Sequence, residues 1–141
     1  MLVNCVAYQD GKKLADIEKS EIRGYLARPG CFVWVALRDA SDAELEEMSK
    51  EFDLHELALE DARHGHQRPK LEEYGDQIFV ALHLLETRGE ELVVGELNVF
   101  ARLTILFEAG FVLTLSRRDD KTAVVGAGSS HNHVWHVVLV A

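Results

Sequence analysis

Between Phe52 and Tyr74 the chain reads FDLHELALEDARHGHQRPKLEEY, and the rest of the molecule can be laid out from this stretch. Its first half is amphipathic: a helix expected from about His55 to His64 would bury Leu57, Leu59 and Ala62, or a subset of them. Gly65 ends that helix and Pro69 forbids its continuation. The helix carries two adjacent carboxylates, Glu60 and Asp61, and leads into a basic, imidazole-rich turn. Neighbouring helical residues project about 100° apart, so the two carboxylates cannot both clamp one ion tightly. They can hold a hydrated divalent cation through its waters, be completed by ligands from another chain, or simply form a solvated helix end. Pro69 sets the direction in which the chain leaves, and Arg68 and Lys70 have Glu72, Glu73 and Asp76 as ion-pair partners.

On the N-terminal side, Leu2 to Tyr8 alternates as a strand does, Asp10-Gly11 signals a turn, and Lys12 to Ala15 returns as a short hairpin arm. Ile17, Ile22, Tyr25 and Leu26 recur at helical spacing as far as Pro29-Gly30. Cys31 to Leu37 is unbroken apolar sequence, the pattern of a strand covered on both faces. Ser41-Asp42-Ala43-Glu44 matches a capping box, and Leu45, Met48 and Phe52 then form one stripe with Glu46, Glu47 and Lys50 facing water.

On the C-terminal side, Ile78 to Leu85 is apolar on both alternating faces except at His83, which predicts a strand in mid-sheet with His83 as a hydrogen-bonded core or boundary residue. Leu92 to Phe100 returns beside it. Arg102 to Phe107 and Phe111 to Leu115 read as two more strands joined at Glu108-Ala109-Gly110. The expected fold class is α/β (α+β): a mixed, largely antiparallel sheet flanked by helices. One domain is expected over residues 1–121, followed by a divergent tail, 122–141, whose composition shifts from Gly126 towards Gly, Ser, His and Val.

Composition narrows the function. The 24 acidic residues outnumber 15 basic ones, for a net charge of −9. That argues against nucleic acid and anionic lipid as partners and suits cation attraction. Cys5 and Cys31 have neither a zinc nor a disulfide-framework spacing and are expected as small buried residues in a reducing compartment. No segment approaches the ~18–20 apolar residues that span a bilayer.

The Phe52–Tyr74 segment resembles the signature of the CorA family of magnesium and cobalt transporters. There a Phe-Gly-(Leu/Ile)-His-Pro-Leu run leads to Glu-Asp, then His-Gln-Arg-Pro-Lys, then Glu-(Tyr/Phe). The matching residues are Phe52, Leu54, His55, Leu57, Glu60, Asp61, His66, Gln67, Arg68, Pro69, Lys70, Glu72 or Glu73, and Tyr74. Asp53 and Glu56 stand where the family commonly has Gly and Pro. Cys31 to Ala36, Ile78 to Leu85 and Val94 to Phe100 resemble the family's flanking strands, so the likeness runs over roughly residues 1 to 100, and Gly110 to Leu115 resembles its closing strand.

The resemblance implies an α/β/α sandwich on the cytoplasmic side of the inner membrane, joined in a homo-pentameric parent to a stalk helix and membrane helices that this sequence lacks. It implies that Mg²⁺, or Co²⁺, binds weakly between neighbouring domains and holds the pore closed. Glu60 and Asp61 would supply half of that metal site and the neighbour's stalk the other half. The chain alone is then a soluble, cytoplasmic, non-enzymatic sensing domain that cannot itself conduct ions or contact the membrane. The alternative is a standalone soluble interaction module of the same fold.

Other patterns carry less. His64-x-His66 and His131-x-His133-x-x-His136 bring imidazoles close, but neither stretch is a dependable strand, and adventitious binding or no role is expected. A metal-dependent hydrolase built on His64, His66 and Asp61 is the weakest reading. Val124 to His131 imitates a dinucleotide fingerprint but has His131 for its third Gly and too little chain after it. No Ser-His-Asp or Cys-His constellation stands out. After Lys121 the family likeness stops, as an insertion with natural termination or a shifted reading frame would produce.

Overall fold

A computed structural model describes residues 1–88, 91–102 and 110–125. Strands β1 (Leu2–Gln9) and β2 (Lys12–Asp16) form the N-terminal hairpin. Asp10 and Gly11 join them with φ of 50° and 75°, the two positive values that a type I′ hairpin turn requires. A 3-10 turn, Lys19–Glu21, runs into a single-turn helix α1 (Ile22–Leu26). The helical spacing that began at Ile17 therefore overstates the helix. Glu18 caps the 3-10 turn in extended conformation, while Ile17 and Ile22 are both buried.

Strand β3 (Cys31–Arg38) leads to helices α2 (Asp42–Phe52) and α3 (Glu56–His64). Strands β4 (Lys70–Tyr74), β5 (Gln77–Arg88), β6 (Glu91–Arg102) and β7 (Gly110–Val125) complete the described chain. The seven strands form one sheet in the order β2-β1-β3-β7-β6-β5-β4. Every pairing is antiparallel except β3 with β7, which is parallel from Phe32↔Gly110 to Arg38↔Ser116. The mixed, largely antiparallel α/β fold expected from the sequence is the fold observed.

The core lies on one face of the sheet. Val33, Val35 and Leu37 of β3, Phe79 and Ala81 of β5, Phe100 of β6 and Phe111, Leu113 and Leu115 of β7 point into it. Leu45, Met48 and Phe52 of α2 and Ala58, Leu59 and Ala62 of α3 cover them. Phe52 stacks on Phe111 with centroids 4.4 Å apart, and Phe79 meets Phe100 at 4.9 Å. Each such burial is worth roughly 1.5–3 kcal/mol. Ion pairs trim the helical layer: Arg63 of α3 reaches Glu46 of α2 at 2.8 Å, Arg23 of α1 reaches Glu51 at 3.0 Å, and Lys19 pairs with Glu47. The charged side of α2 thus meets neighbours as well as water.

The opposite face carries a second cluster: Leu97, Val99 and Val112, with Phe32, Trp34, Val80, Leu84 and Ala101 half-buried around them. No described helix contributes to it. Burial in β3 consequently alternates, Cys31, Val33, Val35 and Leu37 buried and the residues between them half-buried, where unbroken apolar sequence led to the expectation of cover on both faces. Strand β5 likewise buries Phe79 and Ala81 while Leu82 is exposed, and it lies second from the edge, because β4 pairs outside it. Among the described residues helices cover only one face of the sheet, so the second helical layer of the expected sandwich is not among them.

Three further corrections concern boundaries and contacts. Leu57 is 55% exposed, and Ala58 takes the core position expected of it. Arg102 is the end of β6, and the strand expected over Arg102 to Phe107 lies otherwise outside the described residues. Strand β7 continues past Leu115 through a charged stretch to Val125, while the tail from residue 126, with its three histidines and most of the fingerprint-like run, also lies outside them.

Candidate cation site on helix α3

Helix α3 is held at both ends by the sheet. Asp53 closes α2 in the left-handed region, φ 52°, and His55 caps α3, its Nδ1 accepting from the Leu57 amide at 3.3 Å. Gln77, buried at the start of β5, clamps the intervening turn: its Nε2 donates to the Asp53 carbonyl at 2.6 Å and its Oε1 accepts from the His55 amide at 3.3 Å. The His55 ring stacks on Tyr74 of β4 at 4.1 Å. At the far end Gly65 has φ 65°, and its amide donates to the Asp61 carbonyl at 3.0 Å. Arg117 of β7 donates from Nη2 to the Ala62 and Arg63 carbonyls, 3.2 Å each, serving orphan acceptors of the last turn. A Cβ on Gly65 would lie 2.2 Å from Arg117 Nη1, so the guanidinium occupies the space a side chain there would need.

The turn after α3 is fastened in the same way. The Gln67 amide donates to Glu96 Oε2 at 3.2 Å, His83 Nε2 donates to the Gln67 carbonyl at 3.1 Å, and Asn98 Nδ2 donates to Glu96 Oε1 at 2.8 Å. Glu96 and Asn98 are buried, and Asn98 Oδ1 has no hydrogen-bond partner among the described residues. The His-Gln-Arg-Pro-Lys turn is therefore a strap tied to β5 and β6. Sequence reading missed Glu96, Asn98 and Arg117 as the groups that position it. The available signal was a glutamate and an asparagine inside the otherwise apolar β6.

The two candidate ligands have different surroundings. Asp61 Oδ2 accepts from Lys70 Nζ at 2.6 Å, and the same ammonium lies 3.1 Å from Glu72 Oε2. Tyr74 donates its hydroxyl to Glu72 at 2.7 Å. The hydrogen bond to Asp61, then that to Glu72, holds the Lys70 ammonium above its ordinary pKa. The Tyr74 hydroxyl, then Lys70, holds the Glu72 carboxyl below its own, and Glu72 in turn raises Tyr74. Glu60 is exposed, and its carbonyl accepts from His64 Nδ1 at 2.9 Å, a contact that uses one nitrogen of the His64-x-His66 pair.

Lys70 does pair with Glu72, as expected, but its shorter contact is to Asp61, while Asp76 instead pairs with Arg102 at 3.0 Å. Among the described residues no three His, Cys, Asp or Glu side chains gather closely enough to hold a metal. The carboxylates are hard donors of the kind Mg²⁺ prefers, yet they fall short of an octahedral set, and any ion held there would need water or another chain for its remaining ligands. Cys5 and Cys31 are free and buried, and burial raises the Cys5 thiol.

This architecture is an α/β domain with a cross-braced turn on one helix, and no described helix is long and apolar enough to cross a membrane. Two solved structures share the fold. One is the full-length CmaX protein, at 17% identity and TM-score 0.56, aligned over 85% of this chain and 36% of that one. The other is the CorA magnesium transporter from Methanocaldococcus jannaschii, at 17% identity and TM-score 0.55, over 85% of this chain and 34% of that one. The chain thus spans about a third of their length. No curated protein matches it in sequence. The model of the CorA-like Mg²⁺ transporter protein family matches residues 30–127, and the chain belongs to that family.

Proposed function

We propose that this chain is the cytosolic, divalent-cation-sensing domain of a CorA-type magnesium or cobalt transporter, non-enzymatic, with Glu60 and Asp61 facing a neighbouring subunit of a homo-pentamer. The family match carries the reading, because it runs through helix α3 and its strap from residue 30 to residue 127. The mechanism follows from charge. Carboxylates crowded across a subunit boundary repel one another, and a bridging Mg²⁺ removes that repulsion and clamps the subunits. A hydrated hard cation held partly through water binds weakly and leaves readily, which suits a regulatory ion.

Light scattering with and without millimolar Mg²⁺, repeated for Asp61→Ala, tests this. Association that requires both Mg²⁺ and Asp61 is the expected result. A monomer indifferent to Mg²⁺ would count against a sensing interface completed by this chain alone, and association that ignores both Mg²⁺ and Asp61 would favour the standalone interaction module.

A further inference from the structure

The Lys70 ammonium lies between helix α3 and edge strand β4, shared by Asp61 on one and Glu72 on its own strand. An ammonium and a divalent cation make the same demand on a carboxylate, and one oxygen cannot meet both at close range. We propose that Lys70 is a tethered internal cation that competes with the divalent ion for Asp61, so that ion binding hands the ammonium over to Glu72. This rests on the reading of Asp61 as a cation ligand.

Three observations carry it. The contact to Asp61 is short, 2.6 Å, so an incoming ion meets a carboxylate already in use. A second seat is within reach, since Glu72 Oε2 is 3.1 Å from the same nitrogen and the four-carbon stem of lysine pivots easily. That seat is itself braced, because Tyr74 holds Glu72 at 2.7 Å and His55 stacks on Tyr74 at 4.1 Å. The exchange leaves no charge unpartnered: the ion takes Asp61 and Lys70 keeps Glu72. Its cost is one charge-assisted hydrogen bond, which lowers the ion's affinity while Asp61 remains available.

Mn²⁺ is the probe, titrated against the full 141-residue chain and followed by paramagnetic broadening of the amide signals of α3 and β4. Lys70→Met is expected to bind about tenfold more tightly than the unaltered chain, the order of effect of removing a unit charge beside a divalent ion near the surface. Lys70→Arg, which keeps the charge, stays close to the unaltered chain, and the sign is the discriminator: loss of a lysine that merely positions Asp61 would weaken binding rather than tighten it. Asp61→Asn abolishes binding in either background. Equal affinity of Lys70→Met and the unaltered chain, with Asp61 still required, overturns the competition and leaves the site reading standing. Broadening that never depends on Asp61 overturns both. Lys70→Gln repeats the measurement should Lys70→Met fail to fold, and thermal melts of each variant identify that case.

Discussion

Asp53 and Glu56 stand where the family motif commonly has Gly and Pro, and the backbone at both positions has the form those residues prefer. Asp53 has φ 52°, a region that costs most L-residues energy and glycine none. Glu56 is the first residue of α3 and follows an extended His55 at φ −65°, ψ 133°, the setting in which proline is preorganised. The double change Asp53→Gly, Glu56→Pro is therefore expected to stabilise the chain by about 1 kcal/mol, a rise of about 3 °C in melting midpoint. A fall in the midpoint would show that one of these side chains makes a contact worth more than the relief. At this scale the sequence made Glu60 and Asp61 legible as candidates but not Asp61's partner. The Lys70 contact spans a helix end, a strap and the start of a strand, and Lys70 has nearer acids in sequence.

Helix α2 begins with a capping box in which the Ser41 hydroxyl accepts from the Glu44 amide at 3.3 Å and Glu44 accepts from the Ser41 amide at 3.0 Å. The Ser41 amide first, and the terminal ammonium of Met1 second, hold the Glu44 carboxyl below its ordinary value of 4.5. Its folded pKa lies below its unfolded one, so the contribution is complete above the unfolded value and is lost as pH falls through the folded value. Denaturation from about pH 6 to about pH 3 should show stability declining at the acid end, and Glu44→Gln should make that decline shallower. An unchanged slope would assign the acid loss to other carboxylates. The box was legible because its four residues are contiguous. Strand β4 was not, since Lys-Leu-Glu-Glu-Tyr is mostly charged and an edge strand has one partner and little core to advertise it. Leu57 misled for a related reason: Ala58 is as buried as any leucine, yet its small side chain adds little to a hydrophobic pattern.

Across the described sheet the two faces are unequal, and residues of β4 and β5 test the inequality. Phe79 is 1% exposed beneath the helices, while Leu82 on the same strand is 41% exposed on the other side and Leu71 of β4 is 62% exposed. Phe79→Ala should cost about 3–5 kcal/mol, whereas Leu71→Lys with Leu82→Lys should change the stability of this chain by less than about 1 kcal/mol. A large loss in the double lysine variant would mean that something in the folded chain covers that face. Unbroken apolar sequence in β3 and β5 did not reveal the difference, because hydropathy reports what a side chain is, not whether anything lies over it. Nor could it reveal that β3 lies against β7, a pairing of residues nearly eighty positions apart, as Trp34 and Val112 are. That single parallel seam joins two antiparallel halves, β2-β1-β3 and β7-β6-β5-β4, each assembled from neighbours in sequence. Its consequence is one of timing. On a ribosome the first half must wait, with one side of β3 unpaired, until the second has been synthesised, and closure of so long a loop is expected to be a slow step of folding.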